Sequence, residues 1–231
     1  QHAGYLRKMG IDVITGGECI YYKKDLVEGL DSLPYVVRPA NYPAESPGRG
    51  WRLAQAGKER VAVVSMLGRV GFSRVHSENP FTALSPLVER LHRETPYIIV
   101  DFHANATAEK QAFFFHADGK VSAVIGSHGR VATSDETILA GGTACITDAG
   151  RTGSLNSIGG IDPASKIREY LARIPDWSRD AWDKPVFQGL ILDLDSKGKA
   201  TSIRRVSMDV ADPPGNEKGE ANAGKGEGSQ A

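Results

Sequence analysis

Three polar clusters each follow an apolar run: Gly16-Gly17-Glu18-Cys19, Asp101-Phe102-His103-Ala104-Asn105-Ala106-Thr107, and Gly126-Ser127-His128-Gly129-Arg130. Glu18, Cys19, His103 and His128 together supply a carboxylate, a thiol and two imidazoles. That donor set suits zinc or a similar transition metal. Each residue alone is a weak signal, since a single free cysteine is usually just a small buried hydrophobe. What gives them weight is their shared place, just past the end of an apolar strand, where α/β sheets gather ligand and catalytic groups. Arg130 has no lone pair and cannot ligate a metal, but its guanidinium can grip phosphoryl oxygens. The loop Asp148-Ala149-Gly150-Arg151-Thr152-Gly153 lies past another strand end. Arg151 there is a second candidate for a phosphate, and a plain glycine-rich connection is an equal reading. Arg69, after Gly68, carries the same two readings. His2, His76, His92 and His116 lack such a setting. His92 reads as solvated on a helix, and His116 as exposed before a turn.

The elements that must hold these clusters follow from hydrophobic spacing. Tyr5, Leu6 and Met9 sit at helical spacing before Gly10. Ile11 to Thr15 reads as a strand ended by Gly16-Gly17, and Lys23 to Leu33 as a helix stopped before Pro34. Tyr35 to Arg38 is a further strand, followed by a loop rich in proline and glycine. Trp51-Arg52-Leu53 and Arg60 to Leu67 read as neighbouring strands around the Ala56 to Glu59 turn. A helix spans Pro80 to Thr95, with Leu84, Leu87, Val88 and Leu91 on one face. Tyr97 to Phe102, Val121 to Gly126 and Thr143 to Asp148 are strands of the buried kind. Pro163 to Arg173 is a short helix. Phe187 to Asp195 and Ala200 to Val206 form a hairpin about Ser196-Lys197-Gly198-Lys199. Apolar strands alternating with helices, then antiparallel strands, predict an α/β fold with at least one mixed sheet. The domain is expected to span 1–210. Residues 211–231 lose their apolar content and read as a disordered tail rich in Gly, Glu and Lys.

Composition narrows the class. The chain has 231 residues, with 28 Lys+Arg against 28 Asp+Glu, so no net field favours nucleic acid or an anionic membrane. No apolar run approaches the roughly 18 residues of a membrane helix. The 2 cysteines, Cys19 and Cys145, form no CxxC or disulfide framework, which favours a reducing, cytoplasmic setting. The chain opens without a methionine and already inside a helical pattern, as a piece of a longer protein would.

Several motifs in fixed order carry a resemblance: Val13 to Leu26, RPANYP (Arg38 to Pro43), PGRG (Pro47 to Gly50), VDFHANATAEK (Val100 to Lys110), DGKVSAVIGSHGRVATSDE (Asp118 to Glu136) and LAGGTACITDAGRTG (Leu139 to Gly153). Together the chain to about Val206 resembles the YmdB-like metallophosphoesterases of the calcineurin-like superfamily. The resemblance implies a four-layer α/β/β/α sandwich, here expected to lack its first strand or strands. It also implies a two-metal site and hydrolysis of phosphodiesters of the 2′,3′-cyclic nucleotide class. Two cations would polarise a water and clamp the phosphoryl oxygens.

Carried over position by position, the pattern is altered. His103 and His128 match metal histidines of the family. Asn105 stands where the family has glutamate, Arg130 where it has a second histidine, and Glu18-Cys19 where it has Asn-His. The expected metal set is therefore Glu18, Cys19, His103 and His128. Cys19 and Arg130 are the catalytic candidates, and Arg130 and Arg151 the substrate-binding ones. The expected cofactor is a divalent transition metal (Fe, Mn or Zn), with one ion rather than two a possibility. Expected partners are a small nucleotide or phosphodiester substrate, no membrane, and a possible homo-oligomer. The alternative is a catalytically impaired pseudoenzyme that binds a nucleotide or a protein partner.

Overall fold

The computed structural model describes residues 2–72, 77–175 and 179–210. His76 and the tail expected over 211–231 lie outside the described residues. In chain order the elements are α1 (His2–Lys8), β1 (Ile14–Thr15), α2 (Lys24–Gly29), β2 (Val36–Val37), β3 (Trp51–Ala56), β4 (Glu59–Leu67), α3 (Pro80–Leu91), β5 (Tyr97–His103), α4 (Thr107–Ala117), β6 (Ala123–Ser127), β7 (Thr137–Ile138), β8 (Ala144–Ile146), β9 (Gly153–Ser154), α5 (Pro163–Ala172), β10 (Pro185–Leu194) and β11 (Ala200–Asp209). A 3₁₀ turn, Leu30–Ser32, follows α2. None of the described helices is long and apolar enough to cross a membrane.

Two compact units divide the chain. Among the described residues the first comprises 2–151 and Gln188–Ser207, the second Thr152–Phe187 and 208–210. The first unit is built on a six-stranded sheet of order β3-β4-β5-β6-β8-β7. Its four inner strands are parallel, and β3 and β7 close the edges antiparallel. The expected α/β class with a mixed sheet is the one the chain forms. In the second unit β9 pairs antiparallel with the start of β10. There α5 begins at Asp162, whose carboxylate caps the helix by accepting from Ser165 N at 2.8 Å.

Strand β5 shows how the sheet sorts its residues. Side chains alternate across a strand, and Ile98, Val100 and Phe102 face α3 and α4 in one apolar cluster with Leu84, Leu91 and Phe113. Phe102 and Phe113 stack at 4.0 Å between ring centroids. Burying each such side chain contributes about 1.5–3 kcal/mol. On the opposite face Ile99 and Ile125 pack with Leu192, Leu194 and Ile203 of the β10–β11 pair. The layers of this unit are thus helices, sheet and strand pair.

Several elements differ from the spacing-based reading, among them β7 and β9, two-residue strands that no apolar run marks. The sequence gives no sign of α4, because its aromatic residues crowd into Phe113-Phe114-Phe115 and its buried face includes Lys110. Strand β1 is two residues long, because Ile14 and Thr15 find only Val36 and Val37 to pair with. Ile11 and Asp12, expected in the same strand, are exposed.

Candidate functional site

The sheet places one half of the site by register. In the parallel β5–β6 pair His103 lies opposite Ser127, and Asp101 shares a face with His103 two residues earlier. His103 Nδ1 is 2.9 Å from Ser127 Oγ, and that hydroxyl donates to Asp101 Oδ1 at 2.6 Å. Immediately after β6 the backbone turns sharply: His128 has φ 95° and Arg130 φ 58°. Non-glycine residues held there cost on the order of 1–3 kcal/mol each and need support from their surroundings. Asp148 supplies it. Its Oδ2 accepts from Gly129 N at 2.7 Å and its Oδ1 from Gly150 N at 3.0 Å. The carboxylate is itself buried against Lys110 Nζ at 3.4 Å.

The other half comes from the turn after β1. Ser65 Oγ donates to Gly16 O at 2.8 Å and ties that turn to the large sheet. A Cβ at Gly17 would sit 2.6 Å from the His103 ring, so only glycine allows the approach. Glu18 then reaches the histidines. Its Oε2 lies 2.6 Å from His103 Nε2 and its Oε1 3.7 Å from His128 Nδ1. The two imidazole nitrogens are 3.2 Å apart. Cys19 Sγ donates to Glu18 Oε1 at 3.3 Å. Phe72 stacks over His103 and meets His128 edge-on at 5.1 Å, walling both rings. The chain reaches Phe72 through a loop held by Glu109, whose oxygens accept from Arg69 N and Val70 N at 2.8 and 3.2 Å.

The electrostatics follow from this packing. Burial pushes the Glu18 carboxyl up, but attraction to His103 and the thiol's hydrogen bond outweigh it and hold the group below its usual range. Burial and then the bond and charge of Glu18 push the Cys19 thiol up to about 11. The thiol is therefore protonated at neutral pH and acts as a donor. Burial, then the neighbouring His103 charge, lower His128 against a smaller opposing pull from Glu18. A neutral imidazole is the form that can ligate a metal.

Of the residues singled out by type and position, Glu18, His103 and His128 converge, with one donor atom from each lying within 4.8 Å of the others. Two nitrogens and one carboxylate oxygen fit a divalent transition ion. Cys19 is exposed and turned to Glu18 rather than joining that set. Arg130 is exposed, and its carbonyl accepts from Arg151 Nη1 at 2.7 Å. Arg151 N in turn donates to Gln188 Oε1 at 3.0 Å. These contacts bring the two arginines together at the mouth of one loop pair. His92 is exposed as expected. His116 is not: it is half-buried in the last turn of α4, 5.4 Å from the Phe81 ring. The roles of Phe72, Ser127, Lys110 and Asp148 were not read from the sequence. Only Asp101-Phe102-His103 offered a signal, because alternation puts its two polar ends on one strand face.

The family model described as YmdB-like protein matches residues 1–206. The chain belongs to the YmdB-like family. Among the relatives of this YmdB-like chain, a 2′,3′-cyclic-nucleotide 2′-phosphodiesterase of Bacillus subtilis (strain 168) is 37% identical over 202 residues, 87% of this chain and 76% of that protein. A crystal structure of a hypothetical protein from Thermus thermophilus superposes with a TM-score of 0.81 at 34% identity, covering 88% of this chain and 79% of that one. A phosphatase from Mycoplasma pneumoniae superposes with a TM-score of 0.82 at 28% identity, over 92% and 77% of the two chains. The resemblance read from the motifs and the family match thus agree.

Proposed function

We propose that this chain is a metal-dependent phosphodiesterase whose ion is held by Glu18, His103 and His128, with phosphodiesters of the 2′,3′-cyclic nucleotide class as substrate. The observation that carries this reading is the convergence of those three donors, in a chain whose Bacillus relative is named for that activity. A bound divalent cation supplies Lewis-acid stabilisation of phosphoryl charge and lowers the pKa of a nearby water. The chain's own residues do the rest. Glu18 adds negative charge that balances the ion. His103 offers a ring nitrogen from the end of β5 and His128 one from the turn directly after β6. Arg130 and Arg151 offer cationic side chains for the substrate's phosphoryl oxygens. Phe72 excludes water from one side of the imidazoles. Cys19 keeps Glu18 oriented through its thiol proton. A role as fourth ligand or in catalysis would require it to give up that bond.

The test is metal content of the purified protein, then turnover of bis-p-nitrophenyl phosphate and 2′,3′-cyclic AMP with added manganese, iron or zinc. Bound metal and turnover are expected. Metal without turnover would favour the binding-only alternative, and neither metal nor turnover would remove the phosphodiesterase reading.

A further inference from the structure

We propose that Asp101 and Ser127 are positioning residues that decide which nitrogen of His103 faces the ion. The inference rests on the reading of Glu18, His103 and His128 as a metal centre. Ser127 has one hydroxyl proton and two polar neighbours. Its Oγ lies 2.6 Å from Asp101 Oδ1 and 2.9 Å from His103 Nδ1. An oxygen pair at 2.6 Å with no proton between would repel, whereas a hydroxyl donating to a carboxylate makes a short, charge-assisted bond. The Ser127 proton therefore goes to Asp101. Its lone pairs are left to accept, and the group on the other side is His103 Nδ1, which must then carry a proton. In the neutral ring that an ion would bind, that leaves Nε2 as the nitrogen with a lone pair to offer, with the ion taking the place of the second ring proton that faces Glu18 in its absence. It is Nε2 that lies 2.6 Å from Glu18 Oε2 and 3.2 Å from His128 Nδ1. If Ser127 instead donated to Nδ1, a neutral ring would hold its proton on Nε2, turned towards the ion, and the ligand would be lost.

The arrangement is built into the sheet and not into a loop. His103 and Ser127 are register partners, and Asp101 shares the strand of His103. The three atoms keep their spacing as long as β5 and β6 stay paired. Partners behind a metal-ligating histidine hold its tautomer and ring plane, and losing one typically costs about 10–100-fold in metal affinity.

The experiment compares zinc and manganese binding by calorimetry for the whole chain and for Ser127→Ala, Ser127→Thr and Asp101→Asn. It adds long-range ¹H–¹⁵N spectra of the His103 ring in the zinc-loaded parent. Expected are affinities about 10–100-fold weaker in Ser127→Ala and Asp101→Asn, recovery in Ser127→Thr, and a ring protonated at Nδ1 and ligating through Nε2. Asp101→Asn keeps the shape but removes the charge that fixes the Ser127 proton on this side, and its amide can offer either an acceptor or a donor to Ser127, so lost affinity reports the hold on the tautomer and not the fold. Ser127→Ala and Asp101→Asn binding zinc as tightly as the parent would overturn the inference alone. So would a parent ring that ligates through Nδ1, a result that needs no variant to fold. A parent that binds neither ion would remove the metal-centre reading, and this inference with it.

Discussion

The two halves of the site are held in different ways. His103 ends β5, in register with Leu67 of β4 and Ser127 of β6, and His128 follows β6 directly in a turn held by Asp148. Glu18 and Cys19 follow a strand of two residues, joined to the sheet by side-chain and turn bonds such as Ser65 to Gly16. A histidine placed by register moves only if the sheet moves. A carboxylate placed by a turn can shift with a few torsions. The lesson is that the imidazole half sets where an ion can sit, and the Glu18 half sets its charge and its access.

Breaking the rigid half should cost most. Asp148 holds Gly129 and Gly150 and is buried with Lys110. In Asp148→Ala the lysine is left as an uncompensated buried charge, and a loss of about 3–5 kcal/mol is expected in denaturant unfolding. A loss below about 1 kcal/mol would show that the loop after β6 does not depend on this pair. His103→Ala should next abolish metal binding beyond the roughly 10–100-fold expected for a positioning residue, with the fold retained by circular dichroism. Retained affinity would move the centre elsewhere.

The joint between the halves can be tested with one methyl group. Gly17→Ala places a Cβ against the His103 ring. Metal affinity is expected to fall about tenfold while the sheet stays intact. An unchanged affinity would mean that the turn yields freely, sharpening the contrast in rigidity.

A smaller effect concerns pH. His128 is lowered by burial and then by its neighbour's charge, so between its folded value and the unfolded 6.5 the unfolded chain binds more protons. Stability from this group therefore rises with pH through that window and is lost as pH falls through it. Its NMR midpoint in the metal-free protein should lie below 6.5. A midpoint at or above that value would mean that attraction to Glu18 outweighs burial. The smallest effect is expected for Cys19→Ser. A thiol with its pKa near 11 is a donor at neutral pH, and serine keeps a donor beside Glu18. Zinc affinity should hardly change by calorimetry. A drop comparable to that of His103→Ala would instead place Cys19 among the ligands.

Much of the fold was legible because burial leaves a periodic mark. The apolar runs at 97–102, 121–126 and 143–148 hold β5, most of β6 and the shorter β8, and the Leu84, Val88 and Leu91 spacing is a helix. Helix α4 was hidden because Lys110 interrupts its buried face, and that lysine is there for Asp148, 38 residues away. His116 was misread for a related reason. The turn after it is real, but Phe81 of another helix covers its ring.

For the site, the sequence by itself determined the donor types and their places at strand ends: Glu18, Cys19, His103 and His128. It also determined the family, through motifs that run to Gly153. Only the tertiary structure decided which donors meet. Glu18 and His103 are far apart in the chain, yet their atoms come within 2.6 Å because β1 and β5 are joined through Ser65 and the glycines beside it. It also decided that Cys19 turns to Glu18, and that Ser127 and Asp101 stand behind His103. Register, loop closure and the sharing of single protons are relations between distant residues, and no local pattern encodes them.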